Sequence, residues 1–134
     1  MNVLFVAGFS PIVRDVEASR AFYLDTLGLP LEGDDYPSTE KLDGVKHLGL
    51  WPLSHAAMSC FGTETWPEDV AVPQATIEFE VADVEAAAAE MESAGSVLIH
   101  GARTEPWGQT VARLLSPEGL LVGLAHTPWL QSRS

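Results

Sequence analysis

Glu78 and Arg113 are the charged residues whose placement most invites chemistry. Ala75 to Val81 alternates, with Ala75, Ile77, Phe79 and Val81 on one side and Thr76, Glu78 and Glu80 on the other. That is the period of a half-buried strand. If the apolar side meets a helix, Thr76 and Glu78 face the opposite way. The same parity on Thr110 to Leu115 sends Val111, Arg113 and Leu115 to that face and leaves Ala112 and Leu114 for the helix. A carboxylate taken out of water is costly unless it is paired or hydrogen-bonded. Glu78 therefore either recognises a cation or polar group of a ligand, or forms a structural pair with Arg113, or sits at the rim of a subunit interface. Raised in pKa by burial, it would alternatively serve as a general base.

The tryptophans are the second clue. Trp51, Trp66, Trp107 and Trp129 are many for 134 residues. Trp107 lies in Glu105-Pro106-Trp107-Gly108, and Trp66 precedes Pro67. Indole faces suit flat or cationic ligands, but Trp is also enriched at protein interfaces. Trp129 reads more as packing. Met58 and Phe61 line either a cleft or the core. The single cysteine, Cys60, permits no disulfide within the chain and no thiolate cluster for zinc or iron–sulfur, and it reads as a buried structural residue. His47, His55, His100 and His126 are scattered along the chain. No Gly-x-Gly-x-x-Gly loop is present to cradle a phosphate.

Seven Lys and Arg against 19 Asp and Glu give a net charge of −12. Such a chain repels nucleic-acid backbones and anionic lipid, so neither is an expected partner. The same field favours a neutral or cationic small molecule. The longest apolar run, Val3 to Phe9, is too short to span a bilayer. No Lys or Arg precedes it, as a signal peptide would require. A cytoplasmic location is the default expectation.

These residues must be positioned by a repeated unit. Val13-Arg14-Asp15-Val16-Glu17-Ala18 aligns with Val81-Ala82-Asp83-Val84-Glu85-Ala86, 68 residues later. In each copy the Asp is a helix N-cap, the Glu lies in the first turn, and a glycine (Gly28 or Gly95) stands where the helix should end. Strands are expected before each helix. After the first helix come weaker strand candidates at Leu31 to Asp35, Val45 to Trp51 and Ala56 to Phe61. After the second come Ser96 to His100, Thr110 to Leu115 and Leu120 to Ala125, the last two joined by the turn Ser116-Pro117-Glu118-Gly119. The chain thus reads as one α+β domain of two tandem βαβββ modules, 1–62 and 73–126, joined by 63–72. Helices cover one face of the sheets, and Gln131 to Ser134 form a frayed tail.

This doubled pattern resembles the vicinal oxygen chelate superfamily, which includes glyoxalase I, extradiol dioxygenases and fosfomycin and bleomycin resistance proteins. The resemblance rests on 13–23 with Leu27-Gly28-Leu29, on Glu105-Pro106-Trp107-Gly108, and on Ser116-Pro117-Glu118-Gly119. It implies U-shaped mixed sheets with helices on the convex side, a ligand site on the concave side, and a homodimer with its clefts completed at the interface. It also implies a divalent metal held by His and Glu. Carried over position by position, those ligands fall on Gly8, Thr76 and Gly123, and Ser54 to Phe61 holds no Glu for the remaining one. The usual metal set is therefore missing. His47 or His55 with His100 or His126 is the residual possibility for a displaced site.

The expectation is a metal-free binding protein of the bleomycin resistance type, sequestering an aromatic or cationic small molecule through Trp51, Met58, Phe61, Trp66, Glu78, Trp107 and Arg113. The alternative is a glyoxalase- or dioxygenase-type enzyme with a displaced metal or with Glu78 as base.

Overall fold

The computed structural model describes residues 1–131. Strand β1 (Val3–Val13) leads into a helix that begins as α1 (Val16–Arg20) and continues with π-helical bonding over Ala21–Thr26. Three two-residue strands follow, β2 (Ser38–Thr39), β3 (Leu48–Gly49) and β4 (Trp51–Pro52), and then α2 (Leu53–Phe61). The second half runs β5 (Ala75–Val81), α3 (Val84–Ser93), β6 (Leu98–Thr104), β7 (Thr110–Leu115), β8 (Leu121–His126) and α4 (Pro128–Gln131). The strands form an eight-stranded sheet in the order β2-β3-β1-β5-β8-β7-β6, with β4 also beside β1. The architecture is the expected mixed α+β class.

The helix starts form as the sequence indicates. Asp15 accepts from the Ala18 amide at 3.1 Å and Asp83 from the Ala86 amide at 3.0 Å, each satisfying an orphan donor of the first turn. The repeat also shows in the register. A shift of 68 residues maps Gly8 onto Thr76 and Ser10 onto Glu78, and the antiparallel β1–β5 ladder pairs Gly8 with Glu78 and Ser10 with Thr76. The two pairs are images of each other.

The first half departs from the expected strands. Residues 31–35 contribute only the Glu32–Ser38 bridge. Residues 56–61, expected as a strand, are the end of α2. Ala56, Ala57 and Cys60 are buried, a helical rather than alternating spacing. Gly62, at φ 77°, closes the helix with its amide on the Met58 carbonyl. Gln131, expected in a frayed tail, instead donates to Glu80 and to the Val81 carbonyl; 132–134 lie outside the described residues.

Helix α3 packs Val84, Ala87 and Ala88 on Val81, Ala112, Leu114 and Leu124. This is the helix-facing parity read from the sequence. The first helix covers Val13, Leu31 and Leu50. A third cluster joins Ala56, Ala57 and Cys60 to Trp66 and Leu121. Helix α2 therefore lies on the other side of the sheet and helps to enclose a cavity there.

Candidate functional site

The opposite face of the sheet carries one row of neighbours across five strands: Gly8 on β1, Glu78 on β5, Gly123 on β8, Arg113 on β7 and His100 on β6. Above it opens a cavity of about 780 Å³. Its floor includes Gly8, Ser10, Thr76, Glu78 and Arg113. Trp51, His55, Met58 and Ser59 form one wall, the 103–109 stretch another, and Trp129 and Leu130 of α4 close a third side.

Glu78 stands between two glycines. A Cβ at Gly123 would lie 3.1 Å from Glu78 Cγ and 3.3 Å from Val111 Cγ1, so the missing side chain is what lets Glu78 lean across β8. Gln109 then holds it. The Gln109 amide nitrogen donates to Glu78 Oε1 at 3.1 Å and to Thr127 Oγ1 at 2.8 Å, while its oxygen accepts from Trp107 Nε1 at 3.0 Å. One buried amide thus fixes both the floor carboxylate and a half-exposed indole.

The expected Glu78–Arg113 pair is not made. Arg113, 1% exposed, donates through Nη1 to Glu105 Oε1 at 2.5 Å, and Glu105 also faces Arg103 Nη2 at 3.8 Å. Glu105 opens the turn to Gln109 that joins β6 to β7, with Gly108 at φ 96°, and its carboxylate meets Arg113 from there. The Arg113 guanidinium also lies 5.4 Å from the Trp51 ring centroid, within cation–π range.

His100 Nε2 is 3.2 Å from Arg113 Nη1, and His100 Nδ1 is 2.7 Å from the Gly101 carbonyl. Nδ1–H therefore donates to the carbonyl and Nε2 accepts from the arginine, which requires a neutral ring. Burial first, and then Arg113, hold its pKa below the ordinary 6.5. The neutral form is favoured by folding, so its contribution is full above the unfolded pKa and is lost as pH falls through the folded one. The urea midpoint of the wild type is expected to drop more between about pH 7.5 and 5.5 than that of His100→Gln. Equal drops would remove His100 from this role.

At the β1 end a second polar chain faces the cavity. The Tyr36 hydroxyl is 2.6 Å from His47 Nε2 and 3.4 Å from Ser10 Oγ, and His47 Nδ1 is 3.7 Å from Glu40 Oε2. Glu40 also accepts from Trp129 Nε1 at 3.2 Å. Burial, reinforced by Glu78 and Glu40 against the Ser10 hydrogen bond, pushes the Tyr36 phenol up to about 12. It stays protonated.

Of the residues singled out from the sequence, Trp51, Met58, Glu78, Trp107 and Arg113 line the cavity. Phe61 and Trp66 do not. Their rings meet edge to face at 4.9 Å within the α2 cluster, and Trp66 Nε1 donates to the Val70 carbonyl. Trp129, read as packing, is on the cavity wall. Sequence reasoning missed Tyr36, Glu40, Glu105, Gln109 and Thr127. Only the hairpin position of Glu105 and Gln109, on either side of Pro106-Trp107-Gly108, gave a signal for any of them.

The positions that the resemblance assigns to metal ligation do not fit a divalent ion. Gly8 and Gly123 offer no side chain, and the Thr76 hydroxyl donates to the Leu121 carbonyl at 2.9 Å. Among the described residues no group of three His, Cys, Asp or Glu side chains is placed to hold a metal ion. Among the described residues, no helix is long and apolar enough to cross a membrane.

Comparison with known proteins bears on the fold. A superfamily member from Vibrio splendidus 12B01, described as glyoxalase/bleomycin resistance protein/dioxygenase, superposes with a TM-score of 0.63 at 17% identity, over 91% of this chain and 97% of that one. Methylmalonyl-CoA epimerase from Mycobacterium tuberculosis gives 0.60 at 18%, over 97% and 93%. A Streptomyces coelicolor methylmalonyl-CoA epimerase variant in complex with 2-nitronate-propionyl-CoA gives 0.58 at 19%, over 95% and 96%. At these identities the likeness is one of fold. No curated protein matches the chain in sequence. The family model of the glyoxalase-like domain matches residues 6–127. That span begins two residues before Gly8 and ends on Thr127, and so takes in the whole five-strand row: the chain belongs to the glyoxalase-like domain family.

Proposed function

We propose that the chain binds, without a metal ion, a small molecule that presents an aromatic face and a positive charge. The role is stoichiometric capture, and the chain acts as one of two copies in a homodimer. The carrying observation is Glu78, held by Gln109 on a glycine-flanked floor beneath Trp51, Trp107 and Trp129. The cavity wall holds Glu40, Glu64, Glu78 and Glu105 against Arg103 and Arg113, an excess of negative charge that favours a cation. Pairing with a second copy is supported by β1, which leaves Val3, Leu4, Val6 and Phe9 exposed.

Calorimetry with tryptamine and 4-methylbenzylamine as cations, and 4-methylbenzoate as the anionic counterpart, tests the reading. One saturable site per chain is expected for the amines, with the benzoate weaker. Glu78→Gln is expected to weaken the amines about tenfold. Light scattering on the same samples is expected to give twice the 14.4 kDa chain mass. No saturable binding of either amine would sink the binding reading, and a single-chain mass would remove the dimer from it.

A further inference from the structure

Among the described residues lining the cavity, Arg113 carries buried side-chain nitrogens with no hydrogen-bond partner, Nε and Nη2. These two are neighbours on one edge of the planar guanidinium. Their N–H bonds run parallel and match the two oxygens of a carboxylate. The other edge is occupied: Nη1 is held by Glu105 and His100, and Trp51 flanks the group. The free edge is thus fixed in place before any ligand arrives. Buried charged donors left unmade are costly, so a partner for them would release a cost that the ligand-free protein carries.

We infer that the ligand bears a carboxylate, or an oxyanion of the same shape, which takes both bonds from Arg113 while its cationic group faces Glu78. The ligand class is an aromatic zwitterion. This rests on the binding reading above and names its substrate class. The register supplies the spacing. Glu78 and Arg113 lie on either side of Gly123, two strands apart, or about 10 Å between Cα atoms. Glu78 leans over Gly123, which brings the poles closer than the backbones. Charge also balances at the carboxylate pole. Arg113 and Glu105 neutralise each other, and Arg103, 42% exposed beside Glu105 on the cavity wall, supplies the positive charge that an incoming carboxylate needs. The free edge of Arg113 is shut off from water, so a wall side chain must move to admit the ligand.

The test compares 4-(aminomethyl)benzoate with 4-methylbenzylamine, which keeps the ring and the amine and lacks the carboxylate. The zwitterion is expected to bind at least about tenfold more tightly. In Arg113→Lys, which keeps the charge and loses the fork, that ratio is expected to fall below about twofold. A wild-type measurement stands in should the variant not fold. The Arg113 ¹⁵Nε–H resonance is expected to shift on saturation with the zwitterion and not with the amine. If the amine binds and the zwitterion has no advantage, or keeps it in Arg113→Lys, or leaves the Nε signal unmoved, the inference falls and the binding reading stands. If neither probe binds, both fall.

Discussion

Glu105→Ala is expected to lower the unfolding free energy by about 3–5 kcal/mol, the usual consequence of leaving one member of a buried ion pair behind. Arg113 is 1% exposed and Glu105 6%, so solvent screens neither. In the variant, Arg113 would keep His100 as its polar neighbour, with two nitrogens already without partners. A loss of that size is a large share of a typical domain's stability and would show as a shift of the urea midpoint. The partner experiment separates the pair from the site. Arg113→Met placed in the Glu105→Ala background removes the stranded charge and keeps most of the volume, so it should recover a large part of the loss. A loss under about 1 kcal/mol for Glu105→Ala, or no recovery with Arg113→Met, would mean that the pair is not what holds this wall.

That Arg113 meets Glu105 rather than Glu78 shows where sequence reasoning reached its limit. Parity along β5 and β7 placed both Glu78 and Arg113 on the cavity face, because alternation is local and its period is strict. The choice of partner is not local. It depends on the 105–109 turn, which sets Glu105 against Arg113 and Gln109 against Glu78. The helix starts at Asp15 and Asp83 were legible for the same local reason: a capping carboxylate acts within three residues. Residues 56–61 were misread as a strand because a short apolar run fits either period until its length and flanks are weighed. Pro52 before it and Gly62 after it bound a helix of nine residues. That helix, with α4, builds the cavity walls. Trp129 was assigned to packing, and Trp66 to a possible ligand face, since a loop indole looks alike in sequence whether it closes a cleft or fills a core. Counting from the two capping aspartates and the last turn glycine gave Gly8, Thr76 and Gly123 as the metal positions that the resemblance implies. The ladder pairs Gly8 and Gly123 with Glu78 on either side, so the positions identify a floor built around a carboxylate.

The second large effect comes from a residue with no chemistry of its own. Gly49→Ala is expected to destabilise the protein by about 1–3 kcal/mol, an overpacking cost. A Cβ on Gly49 would overlap the Tyr36 hydroxyl and ring edge, and Tyr36 is held there by its short contact to His47 and by the stacking of the two rings at 5.7 Å. The hairpin pairs Ser38 with Gly49, so the tyrosine two residues before β2 is laid across β3 by the backbone itself and cannot swing clear without giving up His47. Backbone strain is not the cause, since Gly49 is absent from the glycines at positive φ; the space is. The distinction is testable by a cycle. Tyr36→Ala removes the obstacle, so Gly49→Ala added to it should cost little, leaving a coupling of at least about 1 kcal/mol between the two changes. A cost for Gly49→Ala that is the same with and without the Tyr36 ring would show that the glycine is required by the strand and not by the tyrosine. A coupled result has a further consequence for the cavity. The Ser10–Tyr36–His47–Glu40 chain would then be a rigid wall, set by one missing methyl group. A ligand could rely on it as a fixed surface opposite the arginine pole.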